Sequence, residues 1–372
     1  MNILLVITKG EVGGAQMLVR DLAFALKEKG HNVTVASGGG DYLKDEMEDK
    51  EICFLRLKFL KRTHNPLNGV FFIFEIRKLI NNMNFDVVHF HSSNALFGAI
   101  GAKLSRTKPK TVFTLHGLSL LDKNYAAPRW IKICYLWLFK FLLVYIDHPV
   151  FISRLNYAEA VKLGLRVKGE IVPNGINQGG ILFLGKQEAR GELQKLTGAD
   201  LSGKYIIGSI GRLAYPKNYE FIINLLSQII YIKKDCLLFL IGDGPEKPKY
   251  RGMIQRHRLE NRIILAGEIK NAARLLKAFD LFVLPSHYEG LSITLIEALA
   301  AGTPILASRV GGTPELLEST PEQMFEPNNA GDFIEKFRSL FAVQNLSEKN
   351  IAQSKKYGID AVVNNYLQVY SG

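Results

Sequence analysis

Two glutamates, Glu289 and Glu297, are separated by seven residues in the stretch 285–312, which reads PSHYEGLSITLIEALAAGTPILASRVGG. Glu289 follows the apolar run Leu281-Phe282-Val283-Leu284 and precedes a glycine. Glu297 lies inside residues 292–301, whose pattern predicts a helix. A helix start beside a strand end gathers unpaired N–H groups and the positive end of the helix dipole, so it suits an anion. The amides near Leu291, Ser292 and Ile293 would face that rim. Helix rise limits the glutamates to about 12 Å apart. That span fits a ligand with a phosphate centre and hydroxyl-rich ends, such as a nucleotide-sugar.

Other residues could serve the same ligand. Arg212 and Lys217 flank a turn after the apolar run 205–210. A guanidinium fork and an ammonium point charge together can neutralise a diphosphate; a solvated surface pair is the plain alternative. His116 ends the run 111–115 and precedes Gly117, a position that faces a cleft in βαβ domains more often than a core. His89 and His91 alternate on the run before it and share a face. His91 is the better of the two for a cleft, with hydrogen-bonded packing as the alternative for both. Gly13 and Gly14 follow the first run and would let another molecule approach the backbone. Their loop is neither a Walker loop nor a GxGxxG turn, so a tight strand–helix turn explains it equally well. Gly242 and Gly244, and Glu268 after Gly267, sit in two further strand-end loops that suit contacts to a flat base or are ordinary turns. Gly311 and Gly312 follow the run 304–308 and can bring amides to phosphate.

Those residues need a scaffold of strand ends. Short apolar runs alternate with helical stretches along the whole chain, at 3–7, 32–37, 52–57, 86–91, 111–116, 149–153 and 170–172, then at 205–211, 236–242, 263–266, 281–285 and 304–308. Runs apolar on both faces predict parallel strands covered by helices. Alternation over each half predicts an α/β chain with two doubly wound domains, whose ligands lie beyond the carboxyl ends of the strands. The expected boundaries are 1–177 for the first domain, 178–203 for a linker region, 204–349 for the second domain and 350–372 for a C-terminal helix that packs on its own domain or crosses back to the first.

Composition narrows the class. The chain has 372 residues and a net charge of +12. Residues 1–177 carry 24 Lys and Arg against 15 Asp and Glu, and residues 178–372 carry 23 against 20. The basic first half predicts an anionic partner. An acidic membrane surface fits better than nucleic acid, because no helix-turn-helix, RNA-binding or zinc-finger signature is present. Cys53, Cys134 and Cys236 show no paired spacing and read as reduced core residues. The apolar start at 3–7 is too short for a secretory signal, so a cytoplasmic protein is expected, with peripheral contact at the inner face of the membrane. Residues 130–146 (WIKICYLWLFKFLLVYI) are strongly apolar but fall short of the ~20 residues of a spanning helix. They read as a core helix, or as one lying in the membrane interface.

In order and at these spacings, residues 13–15 (Gly-Gly-Ala), His116, the Gly-Arg-Leu…Lys run at 211–217, Gly242-Asp243-Gly244-Pro245 and Glu289/Glu297 resemble the retaining glycosyltransferases of family 4, over nearly the whole length. The resemblance implies the GT-B fold, two Rossmann-like domains facing across a cleft, the first binding acceptor and the second the nucleotide-sugar. It implies that Arg212 and Lys217 hold the diphosphate, Glu297 the ribose, Glu289 the donor sugar, and the amides of Leu291 and Ser292 the phosphates. His116 would contact the transferred sugar, and Gly13 and Gly14 the phosphate or sugar. Gln16 stands where the family often has Glu. The implied reaction is metal-independent hexosyl transfer with retained configuration, by front-face attack, from a UDP-linked donor to a glycan or polyprenyl-linked acceptor in surface polysaccharide or envelope assembly. No cofactor is expected. The two-carboxylate rule of glycoside hydrolases does not apply to Glu289 and Glu297. The competing readings are another GT-B enzyme, such as a nucleotide-sugar epimerase, or an inactive scaffold.

Overall fold

Apolar runs of four to six residues become parallel strands here because helices cover both of their faces. In the computed structural model, which describes residues 1–62, 66–118, 121–122, 125, 127–165 and 168–372, the chain divides into two compact units. One is Met1–Ile176 with Gly358–Gly372, the other Asn177–Tyr357.

The first unit holds strands β1 (Asn2–Ile7), β2 (Asn32–Ser37), β3 (Cys53–Arg56), β4 (Val87–Phe90), β5 (Lys110–Leu115), β6 (His148–Phe151) and β7 (Glu170–Ile171), in the order β3-β2-β1-β4-β5-β6-β7. All of these pairings are parallel. Alternate residues of β1 serve opposite cores. Leu4 and Val6 join Phe72 and Ile76 of the helix Pro66–Met83 and Leu142 of the helix Arg129–Leu143. Ile3, Leu5 and Ile7 join Leu18, Leu22 and Leu26 of the helix Gly14–Glu28 on the other face. The C-terminal helix, Ile359–Ser371, completes that second face with Val362, Val363 and Tyr366.

The second unit holds β8 (Tyr205–Ile210), β9 (Cys236–Ile241), β10 (Ile263–Gly267), β11 (Leu281–Leu284), β12 (Ile305–Ser308) and β13 (Met324–Phe325), in the order β10-β9-β8-β11-β12-β13, also parallel. In each sheet the strand order reverses beside its first strand, between β1 and β4 and between β8 and β11. Such switch points open a crevice at the strand ends.

Several expectations need correction. The stretch 178–203 is no linker: it carries the helix Lys186–Thr197, fixed to the second unit by Arg190, which meets Asp280 at 2.6 Å. Residues 350–357 belong to the second unit, where Asn350 Nδ2 donates to Thr303 O at 2.9 Å, and only 358–372 join the first. Cys236 is buried, but Cys53 and Cys134 are exposed, because one lies on the edge strand β3 and the other on the outer face of the helix Arg129–Leu143. That helix buries Phe139, Leu142 and Leu143 and leaves the opposite face bare. Among the described residues no helix is long and apolar enough to cross a membrane.

Candidate active site

The loop after β8 and the loop after β11 meet at the switch point of the second sheet. Their backbones are pinned together: His287 N donates to Pro216 O at 2.8 Å, and Asn218 Nδ2 to Pro285 O at 3.1 Å. This brings Lys217 to Glu289, with Nζ 2.8 Å from Oε1. Ser286 Oγ donates to the same oxygen at 2.6 Å. The side chains of Lys217 and Glu289 are 17% and 10% exposed, so the pair is largely desolvated. Burial alone would lower the Lys217 pKa. The Glu289 carboxylate and its hydrogen bond outweigh that, with a smaller push from Tyr219, and the ammonium ends above its ordinary value. Arg212, in the same loop, is exposed.

Glycines set how closely these loops pack. Gly311 has φ +47°, and a Cβ there would lie 1.6 Å from Glu289 O; Gly312 N donates to Gly290 O at 2.8 Å. The Val-Gly-Gly turn thus clamps the backbone that carries Glu289. Gly242 has φ +137°, and its Cβ would fall 2.1 Å from Gly211 O, while one on Gly244 would fall 2.4 Å from Leu213 O. This approach by itself requires glycine at both positions, so part of the motif is explained without a ligand. Gly242 N also donates to Gly267 O at 2.7 Å, and the neighbouring Glu268 is exposed.

The helix Ile293–Ala301 starts where the sequence predicts. Ser292 is its N-cap, accepting from Leu295 N at 3.4 Å. Leu291 is buried, and Glu297, on the helix, is 2% exposed.

In the first unit, β4 and β5 place three histidines together. His116 Nε2 lies 3.2 Å from His91 Nδ1, with the rings stacked. The other ring nitrogens of this pair, His116 Nδ1 and His91 Nε2, are buried and have no hydrogen-bond partner among the described residues. His89 is packed as a core residue, bonded to Tyr370 Oη at 2.7 Å and to Thr114 Oγ1 at 2.8 Å. Burial drives all three imidazoles down, helped at His89 and His91 by their histidine neighbours, and His116 reaches about 4. All three are neutral at pH 7. Gly13 caps the helix Gly14–Glu28 in extended geometry, with no side-chain cap. Gln16 folds back over it, Nε2 donating to Lys9 O at 3.0 Å.

Ser286 is a site residue that the sequence analysis does not assign, although it precedes Glu289 by three residues, a turn spacing. Tyr219, whose hydroxyl would lie 2.8 Å from a Cβ on Gly211, left no signal of its own. Among the described residues no group of three or more His, Cys, Asp or Glu could hold a metal ion.

A family model described as Glycosyltransferase Family 4 matches residues 12–178, and one described as Glycosyl transferases group 1 matches residues 197–357. The chain belongs to glycosyltransferase family 4. This glycosyltransferase is 25% identical, over 86% of its length and 83% of the relative, to the UDP-Gal:alpha-D-GlcNAc-diphosphoundecaprenol alpha-1,3-galactosyltransferase of Escherichia coli. It is 24% identical, over 82% and 78%, to the N-acetyl-alpha-D-glucosaminyl L-malate synthase of Bacillus anthracis. Its fold is GT-B. It matches the Anabaena Alr3699/HepE structure in complex with UDP-glucose with a TM-score of 0.83 at 19% identity, covering 100% and 99% of the two chains. It matches the sucrose-phosphate synthase of Thermosynechococcus elongatus with 0.82 at 20% identity, covering 100% and 98%.

Proposed function

We propose that this glycosyltransferase is a retaining, metal-independent hexosyltransferase. It takes a UDP-linked sugar and glycosylates a hydroxyl of a polyprenyl-diphosphate-linked glycan in surface polysaccharide or envelope assembly. The observation that carries the reading is the buried Lys217–Glu289–Ser286 cluster at the strand ends of β8 and β11. A fixed cation there, with the Ser292-capped helix start on the same loop, is a site for a diphosphate flanked by hydroxyls. The UDP in the Anabaena structures and the diphosphoundecaprenol acceptor in the name of the E. coli relative support the choice of donor and acceptor.

In this reading Lys217 and Arg212 stabilise the charge that develops on the leaving diphosphate, so positive charge comes from side chains. Glu289 orients the sugar and, through its bond to Lys217, fixes the ammonium. Glu297 grips the ribose. His116, neutral near pH 7, is a hydrogen-bond partner to the transferred sugar rather than a cation. The leaving diphosphate helps take the acceptor proton as the new bond forms on the face it departs.

The test is nucleoside diphosphate release from a panel of UDP-, GDP- and ADP-sugars, with and without a polyprenyl-diphosphate-linked sugar, and with product configuration read by NMR. Acceptor-dependent UDP release, unchanged in EDTA, with retained configuration is expected. Release without any acceptor would favour an epimerase-type reaction; an inverted product or loss of activity in EDTA would refute the mechanism.

A further inference from the structure

The most unusual surface of the first unit is an apolar one. On the helix Arg129–Leu143 and the residue beyond it, Trp130, Ile133, Trp137, Phe141 and Val144 are all exposed. Their spacing of three or four residues makes one continuous stripe. Trp130 and Trp137 are 67% and 70% exposed. The helix Pro66–Met83 carries a second stripe, Leu67, Val70, Phe71 and Phe74, also exposed, which continues into exposed Arg77 and Lys78.

Both helices pack on the same short turn, Ser93–Phe97. Tyr135 Oη donates to Ser93 Oγ at 2.7 Å, and a Cβ on Gly69 would meet the Phe97 ring at 3.0 Å. Phe72 and Ile76 of one helix and Phe139 and Leu142 of the other are buried in the same core, so the two stripes look out from one layer of the unit.

The chain that builds these two helices and their surroundings is basic, although Arg56 and Lys103 are paired with Asp41 and Asp147. Residues 56–144 carry 14 Lys and Arg against three acids, Glu75, Asp86 and Asp122. Glu75 is committed to the backbone amides of Lys58 and Phe59, and Asp86 to that of Asn2. Lys58 lies over the Phe59 ring, which in turn packs on Phe71 with centroids 5.1 Å apart. Lys140 lies over Trp137 at 5.8 Å. Cations with long apolar stems thus stand beside the aromatic side chains.

We infer that this face of the first unit docks on an anionic phospholipid bilayer, with the helix Arg129–Leu143 lying in the interfacial plane. Fifteen residues make a helix of about 22 Å, short of the ~30 Å hydrocarbon core, so it lies on the membrane rather than across it. Exposed tryptophans and phenylalanines with lysines beside them match the interfacial zone, and the basic surround matches acidic headgroups. A second copy of this chain is a poorer occupant, because a symmetric contact would set two such basic surfaces against each other. The inference is independent of the donor chemistry proposed above, since binding is read without substrate.

Trp130 and Trp137 are the chain's only tryptophans, so intrinsic emission reports on this face alone. With vesicles of phosphatidylcholine containing about one-third phosphatidylglycerol, emission should shift to the blue, be quenched by brominated acyl chains, and weaken as salt contracts the Debye length from about 10 Å to about 3 Å. Flotation with those vesicles should fall roughly tenfold or more in Trp130→Glu/Trp137→Glu, and also in Phe71→Gln/Phe74→Gln. Both variants should keep the parent thermal midpoint and the parent turnover on a soluble acceptor. Emission unchanged by vesicles would overturn the inference. So would equal binding to neutral phosphatidylcholine, or a blue shift that instead follows protein concentration with a dimer mass by light scattering.

Discussion

Removing the Lys217 ammonium is the sharpest probe of the second unit. Lys217→Met leaves Glu289 charged and largely buried, with Ser286 Oγ, 2.6 Å away, to share its charge. Breaking a buried pair from one side costs about 3–5 kcal/mol. The serine bond argues for the lower end, about 3 kcal/mol. In a unit the size of Asn177–Tyr357 each kcal/mol moves the midpoint by about 2–4 °C, so a drop of about 6–12 °C is expected. Lys217→Met with Glu289→Gln removes both charges and should recover most of the loss, down to about 1 kcal/mol for a missing hydrogen bond. Calorimetry resolves the transition of this unit, and hydrogen exchange over 285–312 assigns it. The raised Lys217 pKa keeps the stabilisation in full below 10.5 and removes it only as pH climbs through the higher folded value. The deficit of the single variant should therefore be flat across neutral pH. Turnover should stay low in the single and in the double variant, because neutralising Glu289 returns stability without returning a cation. A single variant as stable as the parent, or a double variant that recovers turnover, would refute the reasoning.

Four further outcomes follow from the geometry. The folded first unit resists protonating His89, His91 and His116, whereas the unfolded chain binds protons near pH 6.5. Stability of that unit should thus fall as pH drops below 6.5, by up to about 1.4 kcal/mol per pH unit for each histidine until its folded value is reached. For His116 that window closes at about 4, and a midpoint constant from pH 7 to 5 would contradict it. Gly311→Ala forces a Cβ into Glu289 O at positive φ and should lower both the stability of the second unit, by about 2 kcal/mol or more, and UDP affinity measured by calorimetry. Gly252→Ala, with open space around it inside the helix Lys247–Arg256, should instead stabilise by about 0.5–1 kcal/mol. Deleting 358–372 should raise hydrogen exchange throughout residues 1–176 while leaving 177–357 protected, because the lost helix supplies Val362, Val363 and Tyr366 to the core of the first unit.

What was legible in the sequence is what local pattern encodes. Strands β1, β2, β4 to β6 and β8 to β12 are legible as apolar runs, since burial leaves little polar alternation to confuse the reading, whereas β3 and β7 are largely exposed and lie at the sheet edges. Strand β13 is two residues long and has no pattern to offer. The helix Lys186–Thr197 looked like linker because it buries only Ala189 and Leu193. Its anchorage is an Arg190–Asp280 pair 90 residues apart in the chain, which no local window contains. The same limit applied at the site. The sequence points to Lys217 for a phosphate and to Glu289 for a sugar, but their contact spans 72 residues and depends on β8 and β11 being neighbours. The outer face of the helix Arg129–Leu143 was hidden for the opposite reason: a run apolar on every side does not say which side is covered.

The two units arrive at their chemistry by one topological route. Where the order of strands reverses, adjacent loops leave in opposite directions and strand-end side chains are left facing the gap. In the second sheet the reversal lies between β8 and β11, and Lys217 meets Glu289 there. In the first it lies between β1 and β4, where Thr8 N donates to Ser92 Oγ at 2.9 Å, and the histidines leave β4 and the adjacent β5. The electrostatic outcomes differ because the partners differ. Burial opposes charge in both places: at Lys217 the Glu289 carboxylate outweighs it, while at the histidines burial prevails, helped at His89 and His91 by neighbouring rings. Under the function proposed above, the second sheet would supply the fixed cation for a leaving diphosphate, and the first a neutral imidazole as a hydrogen-bond partner for a hydroxyl.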